Sequence, residues 1–221
     1  LNLNNSTFNN NSAVASGSGY AKAFGLFANN TSNGTLTINA INSEFNQNTA
    51  QTAGSGAVES EGMDVMNTGA GNTSLNILSS TFNSNAVVGN NAPLTSGLYL
   101  YNTGSGVFNV TALDSEFNQN QSNMSEAFGL AALNSSTGTM SIAANNSTFD
   151  NNKAGTFAAG LYAGNMGTGS MTVAATQSEF SGNTGSPGYG LYTANFTTGS
   201  LNIINMNNIF IGNTTGDSYN G

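Results

Sequence analysis

The sequence predicts an all-β protein: a parallel β-helix of about seven rungs with three short strands per rung, formed by one repeat domain over residues 1–221. Three observations predict this fold. A Phe-x-x-Asn motif occurs seven times, and successive copies come gradually closer together along the chain. Glycines and asparagines recur in a constant frame with the motif, and short alternating apolar segments take the place of any helical periodicity. A period of about 30 to 37 residues is typical of stacked repeats, in which neighbouring rungs bury a continuous core.

The repeat frame places the same residue type at the same position of successive rungs. The phenylalanines of the motif are Phe8, Phe45, Phe82, Phe117, Phe149, Phe180 and Phe210. The asparagines that close it are Asn11, Asn48, Asn85, Asn120, Asn152, Asn183 and Asn213. A glycine lies at a constant distance before each phenylalanine from the second copy onward, at Gly25, Gly62, Gly97, Gly129, Gly160 and Gly190. At a constant distance after each of these glycines is another asparagine, at Asn30, Asn67, Asn102, Asn134, Asn165 and Asn195. We expect the phenylalanine and asparagine columns to be structural ladders, with rings stacked at about 4.8 Å and amides bonded between rungs at strand corners that tolerate left-handed backbone.

One unit, residues 97–120, shows how a rung is built. Residues 97–102 alternate and are rich in aromatic side chains, which is typical of a strand. Residues 103–106 have the composition of a turn. Apolar and polar positions alternate again in residues 108–112, which predicts a second strand with one buried face, and residues 117–120 form a third segment. Helical repeats of similar period are the alternative, but the density of glycine and β-branched residues disfavours them.

The segment between each motif and the next glycine is the variable part of the repeat. It shortens along the chain, from 12–24 in the first repeat to 184–189 in the last. We therefore expect a solenoid that is wider at its N-terminal end, with loops along one edge. Loops commonly carry function, and the longest ones contain Tyr20 with Lys22 and Glu59 with Glu61.

The composition excludes several classes of function. The chain has no His, Cys, Trp or Arg, its cations are Lys22 and Lys153, and its net charge is −8. Nucleic-acid binding depends on neutralising phosphates, so no nucleic acid is expected as a partner, and an anionic membrane surface would repel the chain. No apolar run approaches the length that a membrane-spanning helix needs, so no membrane insertion is expected. The pattern is already under way at Leu1, which predicts a processed chain or a fragment of a longer one.

Short motifs carry a resemblance to a known family. Phe-x-x-Asn is paired with small-residue segments, Ser-Gly-Ala-Val at 55–58 and Ala-Gly-Leu-Tyr at 159–162. This combination resembles the repeats of polymorphic outer-membrane proteins and similar autotransporter passengers, although a clear Gly-Gly-Ala-Ile is missing. The resemblance covers nearly the whole chain. It implies a right-handed parallel β-helix, an extracellular or cell-surface location and a role in adhesion.

Carboxylates recur at one position of the repeat, directly before the phenylalanine. This column reads Thr7, Glu44, Thr81, Glu116, Thr148, Glu179 and Ile209. The alternation sets carboxylates two rungs, or about 10 Å, apart, a spacing compatible with an inverting glycosidase. The better interpretation is structural, because skipping alternate rungs avoids stacking like charges. Calcium held by Glu and Asn oxygens is conceivable, but no Asp-rich loop supports it, and we predict no catalytic residues, no metal and no cofactor.

Two outward columns are candidates for contact. Beside the glycines, aromatic residues at Phe27, Tyr99, Tyr162 and Tyr192 share a column with Asp64 and Ala131. A row of solvent-facing aromatics indicates a contact surface or a platform for sugars. The second strand presents a column of small polar residues at Thr37, Ser74, Asn109, Ser141, Thr172 and Asn202. Such a flat face is compatible with ordering water, as in ice-binding β-helices.

The sequence therefore favours a non-catalytic extracellular structural or adhesive β-solenoid that associates with itself. Open strand edges at the ends of a solenoid template further pairing, and a heterologous contact that does not close makes a filament. The residues predicted to meet in a head-to-tail contact are Leu1, Leu3, Ile209, Phe210 and Ile211. The alternative is a module that binds glycan or ice, with host or matrix glycans as partners. An enzyme acting on polysaccharide is the least favoured hypothesis.

Overall fold

The structure is a computed structural model that describes residues 1–89 and 94–221. Within these residues every regular element is a β-strand. In chain order the strands are β1 (Asn2–Asn4), β2 (Ser12–Ala15), β3 (Ala21–Asn30), β4 (Leu36–Ile41), β5 (Thr49–Thr52), β6 (Val58–Asn67), β7 (Thr73–Leu78), β8 (Ala86–Val88), β9 (Leu94–Asn102), β10 (Val107–Leu113), β11 (Gln121–Ser122), β12 (Glu126–Asn134), β13 (Thr139–Asn145), β14 (Ala158–Asn165), β15 (Ser170–Thr176), β16 (Glu179–Ser181), β17 (Gly188–Asn195), β18 (Ser200–Met206), β19 (Ile209–Ile211) and β20 (Gly216–Asn220).

The strands stack into parallel sheets that run the length of the molecule. Sheet A has the order β1–β4–β7–β10–β13–β15–β18, and sheet B has the order β3–β6–β9–β12–β14–β17–β20. Sheet C has the order β2–β5–β8–β11, and β16 pairs with β19 in a two-stranded sheet. Each pairing joins a strand to its equivalent one rung away, as in the register of Val110 with Leu75 and Ile142. The predicted parallel β-helix of about seven rungs is confirmed.

Each rung passes through sheet B, sheet A and then the motif segment. The motif segments pair through single bridges that link consecutive threonines and glutamates, from Thr7–Glu44 to Thr148–Glu179. The predicted third segment per rung is therefore present, and over most of the stack it is too short to count as a strand. The alternation of side chains explains why these segments close into a coil, because every rung has an apolar set to bury and its neighbours supply the cover.

The phenylalanine column forms the centre of the hydrophobic core. From Phe45 to Phe180 its side chains are fully buried. Consecutive rings are stacked with centroids 4.8 to 5.1 Å apart and planes within 12° of parallel. Leucine, isoleucine and methionine side chains from sheets A and B pack around the column in one continuous cluster. The predicted phenylalanine ladder is confirmed.

Both asparagine columns form hydrogen-bonded ladders, with one exception. In the motif column each amide Nδ2 donates to Oδ1 of the next asparagine, at 2.8 to 3.0 Å from Asn11 to Asn213. In the second column the same bond runs from Asn67 to Asn195. Asn30 is the exception: its Nδ2 donates to the carbonyl oxygens of Gly34 and Asn72, and it does not join the hydrogen bonds described for that ladder.

The prediction that the ladder asparagines themselves form the left-handed corners is wrong. The left-handed residues lie beside them. The residue directly before each motif asparagine has a positive φ, for example Asn10 at 61° and Gln119 at 60°. A second positive φ occurs three residues before each phenylalanine, as at Asn42 and Asp114. These corners turn the chain on both sides of the motif. The ladder asparagines are thereby left with ordinary backbone and with their amides aligned along the solenoid axis.

A buried serine ladder and a close backbone contact complete the rung. Two residues before the phenylalanine, the backbone NH of one serine donates to Oγ of the next, as from Ser43 to Ser80 at 3.0 Å. Sequence analysis missed this column, although the serine recurs in the motif at that position. The recurring glycine reflects crowding: a Cβ on Gly97 would lie 2.5 Å from the carbonyl oxygen of Phe82 and 2.7 Å from that of Gly129. A residue with a side chain does not fit there without displacing backbone.

The variable segments thicken the N-terminal half of the solenoid. The residues that follow the first four motifs are the strands of sheet C, and the segment before Gly25 already belongs to β3. A small separate core lies beneath them, formed around Ala50, Val58 and Val87. The greater width predicted for this end is confirmed, but these segments are largely strands rather than loops, because stacked segments of similar length can pair with each other.

Candidate functional site

The outer face of sheet B carries two neighbouring columns of side chains. Strand β6 shows why. Met63 and Val65 lie in the main core, and Ser60 also points inward, donating from Oγ to the carbonyl oxygen of Asn48 at 2.7 Å. Alternation therefore slips by one residue at Gly62, and both Glu61 and Asp64 face outward. The column before the glycines is Phe24, Glu61, Ser96, Phe128, Ala159 and Tyr189, and the column two residues after them is Phe27, Asp64, Tyr99, Ala131, Tyr162 and Tyr192.

Four aromatics of the second column were predicted to form a contact surface. Phe27 is 51% exposed, whereas Tyr99, Tyr162 and Tyr192 are half-buried. Tyr162 and Tyr192 stack with ring centroids 5.4 Å apart, and Tyr192 stacks on Tyr219 at 4.7 Å. Both faces of the Tyr192 ring are thereby covered. A partner at Tyr192 therefore meets the edge of the ring rather than a face.

Part of this face is an apolar cluster. Phe128, Ala131 and Ala159 are buried on the outer side of sheet B, separately from the main core. Phe157 packs against Phe128 and lies edge-on to Tyr162 and Tyr192 at 5.7 and 5.0 Å. We call this the aromatic cluster. It shows that the variable segments fold back over the outer face in the C-terminal half.

Next to the aromatic cluster, towards the N-terminal end, lies a cleft of about 520 Å³. Its lining combines acidic with aromatic and apolar side chains. The lining residues are Lys22, Phe24, Phe27, Glu59, Glu61, Asp64, Met66, Leu94, Tyr99 and Tyr101. We call it the acidic cleft. It unites two sets that sequence analysis kept apart: the charged residues of the long variable segments, and Phe27 and Tyr99 of the predicted contact surface.

Two carboxylates of the acidic cleft are buried, and each has one oxygen without a hydrogen-bond partner among the described residues. Glu61 is 2% exposed and Asp64 is 7% exposed. Within residues 1–89 and 94–221, Glu61 Oε2, Asp64 Oδ1 and the neighbouring Ser96 Oγ have no hydrogen-bond partner. The ammonium of Lys22 is committed to Glu59, at 2.5 Å. Buried polar atoms are almost always hydrogen-bonded, so the unpaired oxygens of Glu61 and Asp64, which line the same cleft, indicate a place for a ligand.

The protonation of these carboxyls is strongly perturbed. Burial raises the pKa of Glu61 well above its ordinary value, and the charges of Asp64 and Glu59 raise it further against the opposing effect of Lys22. Burial, followed by the charge of Glu59, raises the pKa of Asp64 to about 7. The pKa of Lys22 is raised, chiefly by its hydrogen bond to Glu59. Perturbed groups that share a cleft are candidates for a functional site.

The glutamates of the motif column are elsewhere and are differently placed. Glu44 and Glu116 are exposed, and each accepts a hydrogen bond from an asparagine of the preceding rung. Asn9 Nδ2 lies 2.7 Å from Glu44 Oε2, and Asn83 Nδ2 lies 2.9 Å from Glu116 Oε2. Glu44 and Glu116 are each bridged to threonines on both sides, and Glu179 lies between Thr148 and Ile209, so like charges do not stack. Across the described part of the chain, no three acidic, histidine or cysteine side chains converge as a metal site.

No protein-family model, no curated protein and no solved structure matches this chain. The resemblance to autotransporter passengers therefore stays a prediction. Residues 1–89 and 94–221 contain no helix long and apolar enough to cross a membrane.

Proposed function

We propose that this chain binds partners through the outer face of sheet B, because the buried columns keep one residue type along the stack whereas that face does not. Phenylalanine, asparagine and serine recur in the core ladders from rung to rung. On the outer face the position before the glycine holds phenylalanine, glutamate, serine, alanine or tyrosine, depending on the rung. A constant core beneath a changing face is the organisation of solenoids that display an extended binding surface.

We propose that this chain is a non-catalytic structural and adhesive β-solenoid that acts outside the cell or at its surface. It contacts its partners through the outer face of sheet B. The observation that carries this proposal is the acidic cleft lying beside the aromatic cluster on that one face. The asparagine contacts of Glu44 and Glu116 support a structural role for the motif carboxylates. Matrix or host glycans are the expected class of partner.

Binding should therefore depend on the outer face of sheet B and not on that of sheet A. Immobilised chain is exposed to a panel of matrix and cell-surface glycans, and binding is measured by biolayer interferometry. We expect the double variant Phe27→Ser with Tyr192→Ser to lose at least tenfold in affinity, because both side chains lie on the proposed surface.

The matched control is Val107→Ser with Ile204→Ser, which removes two apolar side chains of sheet A that are 36% and 39% exposed. A loss of glycan affinity in this control variant alone would contradict the assignment of binding to the outer face of sheet B. If the native chain released reducing sugar ends from these glycans and Glu116→Gln did not, the proposal that the solenoid is non-catalytic would be contradicted.

A second candidate function, self-association, is favoured by the last rung. Among the described residues, strand β19 pairs with β16 and with no second strand, and its residues Ile209 and Ile211 are 54% and 61% exposed. Phe210 between them is half-buried against Phe180. At the other end Leu1 is exposed, but Leu3 lies in the main core at 8% exposure. A lysine at Leu3 would unfold the first rung, so Leu3 itself is not available for a contact.

We expect Ile209→Lys with Ile211→Lys to abolish any assembly while the chain stays folded, because charge on an edge strand blocks further pairing. Light scattering measures the mass, and circular dichroism measures the fold. The control Met124→Lys with Met166→Lys adds the same charge at exposed positions away from the ends of the stack, and it should still assemble. A native chain that remains monomeric at millimolar concentration would exclude this candidate.

A further inference from the structure

The acidic cleft contains more hydrogen-bond acceptors than donors. Glu61 and Asp64 line it, both are more than nine-tenths buried, and within residues 1–89 and 94–221 Glu61 Oε2 and Asp64 Oδ1 have no hydrogen-bond partner. Ser96 is beside Glu61 in the register of β9 with β6, and its Oγ is a third unpaired oxygen among the described residues. Leaving such oxygens buried and unpaired is costly. The arrangement is therefore complementary to a group that supplies several N–H donors and a positive charge.

The walls of the acidic cleft favour an organic cation. Aromatic rings at Phe24, Phe27, Tyr99 and Tyr101 and the thioether of Met66 line the space around the carboxylates. Aromatic faces attract ammonium groups through their quadrupole and pack against alkyl chains. A hard ion such as Ca²⁺ takes six to eight oxygen ligands, whereas carbon atoms make up much of this lining. The cleft therefore offers acceptors at its floor and apolar surface at its sides.

The charges of the residues that line the cleft also favour a cationic ligand. Glu59, Glu61 and Asp64 share the cleft with a single cation, Lys22, which is already paired with Glu59. A bound cation would remove the repulsion between Glu61 and Asp64. A primary ammonium has three N–H donors, enough to reach both Glu61 Oε2 and Asp64 Oδ1, which have no partner among the described residues.

We propose that the acidic cleft binds a primary alkylammonium group, with Glu61 and Asp64 as its counter-ions. The alkyl stem lies between Phe27 and Tyr99. A free amine and a lysine side chain of a partner protein present the same group, and the experiment separates these sources. This inference names the ligand of one part of the outer face and rests on the proposal that this face is a binding surface.

Isothermal titration calorimetry at pH 8 tests the ligand class. The probes are 1,5-diaminopentane as the free amine, the peptide acetyl-Ala-Lys-Ala-amide as the lysine side chain, tetramethylammonium and Ca²⁺. We expect saturable binding of at least one of the first two, and the tighter one identifies the source. Tetramethylammonium has the charge but no N–H donor, and it should bind at least tenfold more weakly. Equal affinity for tetramethylammonium, displacement of the amine by Ca²⁺, or no heat with either amine would overturn the proposal.

Variants locate the binding. Glu61→Gln and Asp64→Asn should each weaken amine affinity at least tenfold, and both should fold, because each removes a buried uncompensated carboxylate. Glu116→Gln makes the same chemical change at an exposed site and should stay within twofold of the native affinity. Unchanged binding in Glu61→Gln and Asp64→Asn would overturn the proposal. If amine binding fails while glycan binding through the same face persists, this inference falls alone and the proposed function stands.

The affinity should also rise with pH. The raised pKa values of Glu61 and Asp64, the latter about 7, mean that the empty cleft is largely protonated in mildly acidic solution. An alkylammonium stays charged between about pH 5.5 and 8, so binding strengthens over this range as Asp64, whose pKa is raised to about 7, loses its proton. The other titratable groups that line the cleft are Lys22, Glu59, Tyr99 and Tyr101. Lys22 is paired with Glu59, which raises the lysine pKa, and burial raises the pKa of Tyr99. A flat affinity profile across this range contradicts the assignment of the counter-ions.

Discussion

Phe117→Ala is expected to lower the free energy of unfolding by about 3–5 kcal/mol, the range for removing a fully buried phenylalanine. The Phe117 side chain is fully buried, and its ring is stacked between Phe82 and Phe149 with both centroid distances 4.9 Å. Truncation leaves a cavity that the neighbouring rungs cannot close, because hydrogen bonds on either side hold their backbones at the strand spacing. Urea denaturation monitored by circular dichroism measures the loss.

The matched control is Phe210→Ala at the end of the same column. Phe210 is half-buried and stacks on one neighbour, Phe180, at 5.1 Å. Phe210→Ala should lower the free energy of unfolding by less than half as much as Phe117→Ala. Equal losses would show that position in the stack does not determine the contribution of a ring, and would contradict the description of the column as a cooperative core.

Asn120→Asp is expected to destabilise the fold by roughly 3–5 kcal/mol at pH 7, as for a buried charge left without a partner. Asn120 is fully buried, and its Nδ2 donates to the carbonyl oxygen of Phe82 at 3.1 Å and to Asn152 Oδ1 at 3.0 Å. A carboxylate has no donor and would set its charge against both acceptors. Thermal and urea unfolding at pH 7 measure the effect.

Two comparisons make this second experiment specific to the ladder. The loss should shrink at pH 4, because a protonated aspartic acid recovers one donor. Asn11→Asp changes the same column at its exposed first position, where water solvates the charge, and should cost under about 1 kcal/mol by comparison with ordinary surface substitutions. If Asn120→Asp and Asn11→Asp unfold at the same temperature and urea concentration, the amide ladder does not stabilise the core.

The ladders could be predicted from the sequence because every rung repeats one chemical environment. Phe117 and Asn120 occupy positions where the same residue returns in each copy, and only stacking explains such a column. Asn30 departs from the pattern although its bond to the carbonyl of Gly34 is the one that Asn134 and Asn165 also make to their own turns while they remain in the ladder. No spacing rule reveals which of two acceptors a side-chain amide will choose.

The acidic cleft was harder to foresee. Glu61 and Asp64 are three positions apart, and strict alternation would place them on opposite faces of a strand. The slip at Gly62 brings them to the same face, and that slip follows from crowding between three backbones rather than from the pattern of one strand. The available signal was the glycine itself, because a glycine inside a strand commonly marks a close backbone approach.

The stacking of rungs also determines how the molecule responds to mechanical load. Hydrogen bonds between neighbouring rungs lie along the solenoid axis, so tension between the first and last rungs pulls directly on them rather than shearing them. Such bonds part in succession, and the end rung detaches while the others stay intact. Each detachment releases one repeat of chain, which is roughly 100–130 Å when extended at about 3.4 Å per residue. A chain of this kind lengthens in near-equal steps under force, dissipating energy rung by rung.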